Sequence, residues 1–404
     1  MRAGAPEWRA RLLLIGASFL AGLIAAEAAV RVLLRSAPAE GALGTPISEL
    51  SPVLGWKTRP TGSQRIRREE FDVTITINTL GLRGPEISYE ALPGTRRLAI
   101  MGDSFAHGYY ADEPLTLRGR LATALAACSV DVLNAGSPGY STDQEWLYFT
   151  TEIKKYRPSE VVVLFYYNDL RFNLEAVGTG DRAKPVFVEQ DGAFVLRPPA
   201  EGTTAPGPSA VGDAALLPPP RAAKTFHGSA LWGFAADRIQ RSRPDWQRRL
   251  AATGLMPELS TTPPAEFLPF GPLGDAERSR VEAMWNRTER ILKQFQADVR
   301  GSGAGFSVLY VPARFEVNDP AWRFLQRRYE PDRPWRRDAV KVKLASLLAR
   351  LDIPLVETES DFAKAEGGPQ PAYLPLDGHW NARGNEIAFD ALYPTVRRVF
   401  GCAS

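Results

Sequence analysis

Four stretches of the chain set groups capable of acyl chemistry beside turn residues. At 98–104, LAIMGDS, four apolar side chains run straight into Gly102, Asp103 and Ser104. At 134–141, NAGSPGYS is a glycine-rich turn holding Gly136, Gly139 and Tyr140. Asn168 and Asp169 follow an apolar run at 160–167, and LDGHWN at 376–381 places Asp377 two residues before His379. A serine hydroxyl is a weak nucleophile until a base takes its proton. His379 is the candidate base, and Asp377 the candidate to orient its ring and stabilise the imidazolium. A tetrahedral oxyanion needs preorganised donors, for which the Ser104 N–H, an N–H of the glycine turn and the Asn168 side-chain amide are available.

These stretches are far apart in sequence, so the fold has to bring them together. From residue 97 onward the pattern alternates strand and helix. Strands are predicted at 98–101, 130–134, 160–167, 306–312 and 353–357. Helices are predicted at 116–127, 142–156, 275–300, 338–351 and from about Asn381 to Phe400. For the helix at 142–156, Ser141 or Thr142 is the expected cap, with Glu145 near the capping-box position. Such a βα succession argues an open, doubly wound α/β sheet, whose ligands bind beyond the carboxyl ends of the strands. All four stretches fall there. Before this domain, 71–78 alternates apolar and polar residues as a half-buried strand does, and is placed in a small β element packing on it. Residues 171–274 interrupt the alternation with a hairpin at 185–196 around Asp191-Gly192 and then a proline-rich stretch. This insertion is either a cap over the site or a surface excursion.

In order along the chain, GDSFAHG, NAGSPGYS, YYND and DGHWN resemble the four blocks of the SGNH (GDSL-type) hydrolase superfamily, over about 95–172 and 303–400. The resemblance implies a flavodoxin-like three-layer α/β/α fold around a central parallel sheet. It implies a serine esterase acting on short acyl esters, acetyl foremost, without a cofactor. Ser104 would be the nucleophile, His379 and Asp377 the rest of the triad, and Ser104, Gly139 and Asn168 the oxyanion hole, with Gly136 the other candidate for the glycine donor. One departure bears on Asp377 more than on His379: the family spacing is Asp-x-x-His, and here it is Asp-x-His. The following Trp380-Asn381 resembles the D-x-H-W of bacterial polysaccharide O-acetylation proteins of the alginate-acetylating type. Envelope carbohydrate is therefore one candidate substrate. Two rival functions keep the same fold: a polysaccharide O-acetyltransferase using the same triad, and a non-catalytic envelope binding protein.

The remaining residues narrow the field. Asp103 is expected to brace its turn by accepting backbone N–H bonds. Tyr140 and His107 are candidate substrate contacts, and His107 is not the expected base. His227 reads as an ordinary polar residue. Trp146 and Trp285 are aromatic platforms or core, and helical spacing favours core for Trp285. With three histidines in all, a histidine-based metal site has little to draw on. There is no G-x-S-x-G elbow. Of two cysteines, Cys128 reads as core, with a Cys128–Cys402 disulfide as the alternative. A net charge of +3 over 404 residues gives no support to nucleic-acid binding.

Residues 12–26 are uncharged, Arg2, Arg9 and Arg11 precede them, and 28–34 extend the apolar run. This reads as a signal-anchor helix with its basic end in the cytoplasm, or as a cleaved signal peptide with Ala26-Glu27-Ala28 as the site. The expected division is 1–35 anchor, 36–94 linker and small β element, and 95–404 hydrolase domain. With the resemblance, the implied location is the bacterial inner membrane with the domain in the periplasm, or secretion if the helix is cleaved.

Overall fold

A computed structural model describes residues 7–36, 41–44, 46–191, 193–199, 229–251, 253, 256, 262–329 and 333–402. His227 and the proline-rich part of the insertion lie outside the described residues.

The expected doubly wound sheet is present. Its strands, in chain order, are β1 (Arg96–Gly102), β2 (Val130–Gly136), β3 (Glu160–Tyr166), β4 (Gly305–Val311) and β5 (Leu355–Val356). They pair in the spatial order β5-β4-β3-β1-β2, all parallel. β3, EVVVLFY, is buried at every position, as a central parallel strand covered on both faces must be. The connecting helices are α1 (Leu117–Leu125), α2 (Thr142–Thr151), α3 (Gly274–Gly301), α4 (Ala339–Arg350) and α5 (Ala382–Val399). α1 packs with α5, and α2 with α3. Right-handed crossovers send α1 to one face and α2, α3 and α4 to the other, giving the flavodoxin-like three-layer arrangement. The chain reverses direction across the sheet between β1 and β3. Gly102 is level with Gly136, and Met101 with Val163, so the loops bearing Ser104, the glycine turn and Asn168 leave the sheet at one edge around that switch point.

Two predicted helices end earlier than their apolar spacing suggests. The turn Ala126–Cys128 after α1 and Ile153–Tyr156 after α2 are 3-10. The expected cap at α2 is also not made. The Ser141 hydroxyl donates instead to Asp143 Oδ1 at 2.7 Å, and Glu145 is buried rather than turned back to the cap.

The N-terminal β element consists of a three-stranded sheet, Gly41–Gly44, Ser63–Arg67 and Asp72–Thr76, and a hairpin, Ser48–Ser51 with Gly55–Thr58. The stretch read as a linker thus already carries paired strands. The sheet has its own small core of Ile47, Ile66, Val73, Ile75 and Ile77. The hairpin at 186–197 forms as expected. Its Phe187 stacks on Trp146 at 4.4 Å, and Trp146 Nε1 donates to Asp298 Oδ2 at 2.7 Å. Trp146 is committed to packing and offers no platform. Trp285 is in the core.

The helix Glu7–Ser36 forms a separate unit with the helices Ala230–Ser242 and Pro244–Ala251. Its segment Arg11–Val32, 22 residues of mean hydropathy 2.0, is long and apolar enough to cross a membrane, or to be a signal sequence. Within this unit Glu27 pairs with Arg31 at 2.7 Å and accepts from the Leu231 N–H at 2.8 Å, capping the second helix. A carboxylate inside the apolar run is thereby neutralised by its own unit.

Cys128 is paired with Cys402 in a disulfide, so its reading as a simple core residue is corrected. The bond joins the end of α1 to the residues after α5, the two helices that pack together on one face. It closes a loop of 274 residues, and replacing both cysteines by serine should cost about 2–5 kcal/mol. Thermal unfolding of the wild type with and without reductant, beside the double variant, checks this: the reduced wild type and the variant should melt together and below the oxidised protein.

Candidate active site

Ser104 opens a four-residue helical turn, Ser104–His107, at the carboxyl end of β1. Asp103 caps it, its carboxylate accepting from the Phe105 N–H at 2.8 Å, so its bracing role holds. Arg83, from the N-terminal region, staples the same turn by donating to the carbonyls of His107 (3.0 Å), Gly108 (2.6 Å) and Ala111 (2.6 Å). The hydroxyl is thereby fixed from both sides of the chain.

Ser104 Oγ lies 2.7 Å from His379 Nε2, and His379 Nδ1 lies 2.5 Å from Asp377 Oδ1. The three side chains the sequence put forward are in hydrogen-bonded succession. Ser104 and His379 are 3% and 4% exposed, which keeps bulk water from competing for these bonds. Phe105 and Tyr110 stack on the imidazole at 4.5 and 4.3 Å and hold the ring plane.

The short Asp-x-His spacing works because of the residue between. Gly378 has φ +84°, the left-handed conformation that costs little only for glycine. Its N–H donates to Leu374 O at 2.9 Å, and the Leu374 N–H donates to His379 O at 2.8 Å, so 374–379 is a closed turn. That turn folds the carboxylate back onto the ring. Glu70 holds it from outside, accepting from the Leu376 and Asp377 N–H groups at 2.6 and 2.9 Å. Partial burial pushes the Glu70 carboxyl upward, and the two N–H bonds oppose that. Sequence reasoning missed Glu70, Arg83, Phe105 and Tyr110. The first two sit in the irregular N-terminal region, where no periodicity marks a side chain that acts through loop backbone. Asn381, behind the turn, caps α5 through the Arg383 and Gly384 N–H groups.

The oxyanion candidates separate on hydrogen bonding. The Gly136 N–H is taken by Asn134 Oδ1 at 3.2 Å. Gly139, with φ +81°, has no backbone partner for its N–H among the described residues, nor does Ser104. The Asn168 carboxamide also makes no hydrogen bond there, and its Oδ1 is buried without a donor. Of the two glycines, only Gly139 thus has an N–H without a partner among the described residues.

Two expectations are corrected. Tyr140 does not face an open site: it is 2% exposed, and its hydroxyl donates to Trp56 O at 2.6 Å. The turn swings it inward because a half-polar ring completes the packing with Trp56, edge to face at 5.7 Å. His107 does not line an accessible pocket either. It is completely buried, burial and the Arg83 charge push its pKa well below the ordinary value, and both ring nitrogens lack hydrogen-bond partners. No group of three or more histidine, cysteine or acidic side chains able to hold a metal occurs among the described residues.

No protein-family profile matches the chain, and no curated protein does. Among solved structures it is similar to an alpha/beta hydrolase enzyme from the metagenome of Lake Arreo, Spain, at 13% identity and TM-score 0.37, over 78% of this chain and 99% of that one. It is similar to TesA at 11% identity and TM-score 0.36, over 75% and 99%. It is also similar to a catalytic mutant of Axe2, an acetylxylan esterase from Geobacillus stearothermophilus, at 12% identity and TM-score 0.37, over 77% and 97%. At this level of overlap the likenesses decide no chemistry, which rests on the geometry above.

Two tests address the site. Gly378→Ala forces a strained turn and should slow fluorophosphonate labelling of Ser104 about ten- to a hundredfold. Glu70→Ala should slow it less, with only a small loss in melting temperature. The second concerns Asp103, which burial pushes up to about 6 against its bond to the Phe105 N–H and the His379 charge. An unfolded aspartate titrates near about 4, so the folded state binds the extra proton between these values and stability falls as pH rises from about 4 to about 6. In Asp103→Asn this part of the fall should vanish, as read from urea midpoints across that range.

Proposed function

We propose that this protein is a serine esterase of the SGNH type that hydrolyses short acyl esters through Ser104, His379 and Asp377. The observation that carries the reading is the succession Ser104 Oγ, His379 Nε2, His379 Nδ1 and Asp377 Oδ1, at 2.7 and 2.5 Å, at the switch point of a doubly wound sheet. In the first step Ser104 Oγ bonds to the ester carbonyl carbon while its proton passes to His379 Nε2. The carbonyl electron pair moves onto oxygen, where the Ser104 and Gly139 N–H groups and the Asn168 amide receive it. Collapse of the intermediate expels the alcohol, which takes the proton from Nε2. Water repeats the sequence on the acyl-enzyme and releases the acid. Asp377 stabilises the imidazolium in both halves.

The near-complete burial of Ser104 and His379 under Phe105 and Tyr110 favours a small acyl group such as acetyl. The apolar Arg11–Val32 helix supports a membrane anchor, and the Cys128–Cys402 disulfide supports a domain outside the cytoplasm, where disulfides persist. An acetylated envelope carbohydrate is the substrate class that fits this placement.

Full-length protein in detergent, given a fluorophosphonate probe and 4-nitrophenyl acetate, tests the reading. Label should map to Ser104 and be lost in Ser104→Ala and His379→Ala. Hydrolysis should fall by roughly 10³-fold or more in both variants, and steeply in Asp377→Asn. A folded protein with no label and no turnover would overturn it. Product analysis with added polysaccharide separates hydrolysis from acyl transfer to sugar.

A further inference from the structure

Arg182 is a charge without a counter-charge among the described residues. Its guanidinium lies 4.0 Å above the ring of Trp56. Trp56 is itself pinned to the glycine turn, with Nε1 donating to Pro138 O at 3.0 Å and its carbonyl accepting the Tyr140 hydroxyl. Arg182 Nη2 packs directly against Gly139: a Cβ at that glycine would stand 2.6 Å from it. The guanidinium makes one hydrogen bond, Nε to Thr179 O at 3.0 Å. Nη2 is buried without a partner, and no ion pair to Arg182 occurs among the described residues.

The fully buried cations among the described residues are compensated. Lys184 is paired with Asp143 at 2.5 Å, Arg333 with Glu277 at 2.5 Å, and Arg83 is spent on three carbonyls. An uncompensated buried charge is costly, and a binding site is where such a cost is tolerated. The groups acting on the Arg182 charge are the Tyr140 and Tyr109 phenols, while Asp377 is engaged by His379. The Tyr109 phenol is within electrostatic range of both Asp377 and Arg182, which ties the cation to the same neighbourhood as the triad. Burial lowers the Arg182 pKa to about 10, so the group stays charged at neutral pH.

We propose that Arg182 recognises an anionic oxygen group on the substrate, a carboxylate or a phosphate borne close to the scissile ester. The inference rests on the ester-hydrolysis reading above and narrows it: among acetylated carbohydrates, those with a charged sugar are the preferred class. The Trp56 ring and the Thr179 carbonyl fix the guanidinium plane, and the anion would take its free N–H groups as charge-assisted donors.

The test compares three matched acetyl esters, of methyl glucoside, methyl glucuronoside and methyl glucoside 6-phosphate, with 4-nitrophenyl acetate as the check on hydrolysis itself. For the wild type, kcat/KM for a charged glycoside should exceed the neutral one by about tenfold or more. The ratio should shrink with added salt. It should fall toward one in Arg182→Gln and be partly kept in Arg182→Lys. A ratio cancels differences in folded fraction, so a less stable variant still reports. The glucuronoside and phosphate arms tell which oxyacid is preferred. A wild-type ratio near one, or one unmoved in Arg182→Gln, overturns the proposal. Failure to hydrolyse 4-nitrophenyl acetate would sink the esterase reading alone. Calorimetric binding of the three glycosides to Ser104→Ala then decides the anion preference, and equal binding of charged and neutral sugars overturns it.

Discussion

One hydrogen bond, Ser104 Oγ to His379 Nε2, makes demands on nearly the whole chain, because its ends are 275 residues apart. Ser104 is placed by the end of β1, and His379 by the turn that precedes α5. β1 is the strand beside the switch point, and α5 packs against α1 on one face of the sheet. The bond therefore exists only if the sheet has its full order and the last helix has docked. The Cys128–Cys402 disulfide fastens the same two helices at their far ends. The sheet and the last helix thus together hold the Ser104–His379 pair.

The residues before the sheet are not an appendage. Glu70 holds the backbone of the Asp377 turn, Arg83 holds the carbonyls of the Ser104 turn, and Trp56 bonds to the glycine turn through Pro138 and Tyr140. Each acts on loop backbone or on packing, and each reaches a different one of the loops that make the site. Loops at a sheet edge are otherwise the mobile part of such a fold. Here their positions are fixed by partners from residues 56–83, of which Trp56 packs in the main core.

This division explains what could be read from the sequence. The strands and helices of the sheet declare themselves by apolar runs and helical spacing, and Ser104, Asp377 and His379 by residue type at strand ends. The Asp-x-His spacing looked like a defect because its remedy is conformational: a positive φ at Gly378 is invisible as chemistry. Tyr140 was misjudged since a tyrosine beside a catalytic turn can point either way, and packing with Trp56, 84 residues earlier, decided it. Glu70, Arg83 and Arg182 carry no local pattern at all. Their partners are carbonyls, N–H groups and ring faces, which every sequence contains.

Charge is distributed unevenly around Ser104. Behind it, Asp103, Asp143, Glu145 and Asp169 are all buried. Lys184 answers Asp143, while burial and neighbouring acids push the Glu145 and Asp169 carboxyls well upward. Burial pushes Asp103 upward too, and Asp377 is the carboxylate that hydrogen-bonds the imidazole. On the side of the glycine turn the sign is reversed, with Arg182 set against Gly139 and no ion pair to it among the described residues. Gly139 thus stands beside a cation, while the Ser104 turn is backed by acids whose carboxyls burial pushes upward. The polarity around Ser104 thus depends on how deeply each charged residue is buried as much as on which charged residues the sequence supplies.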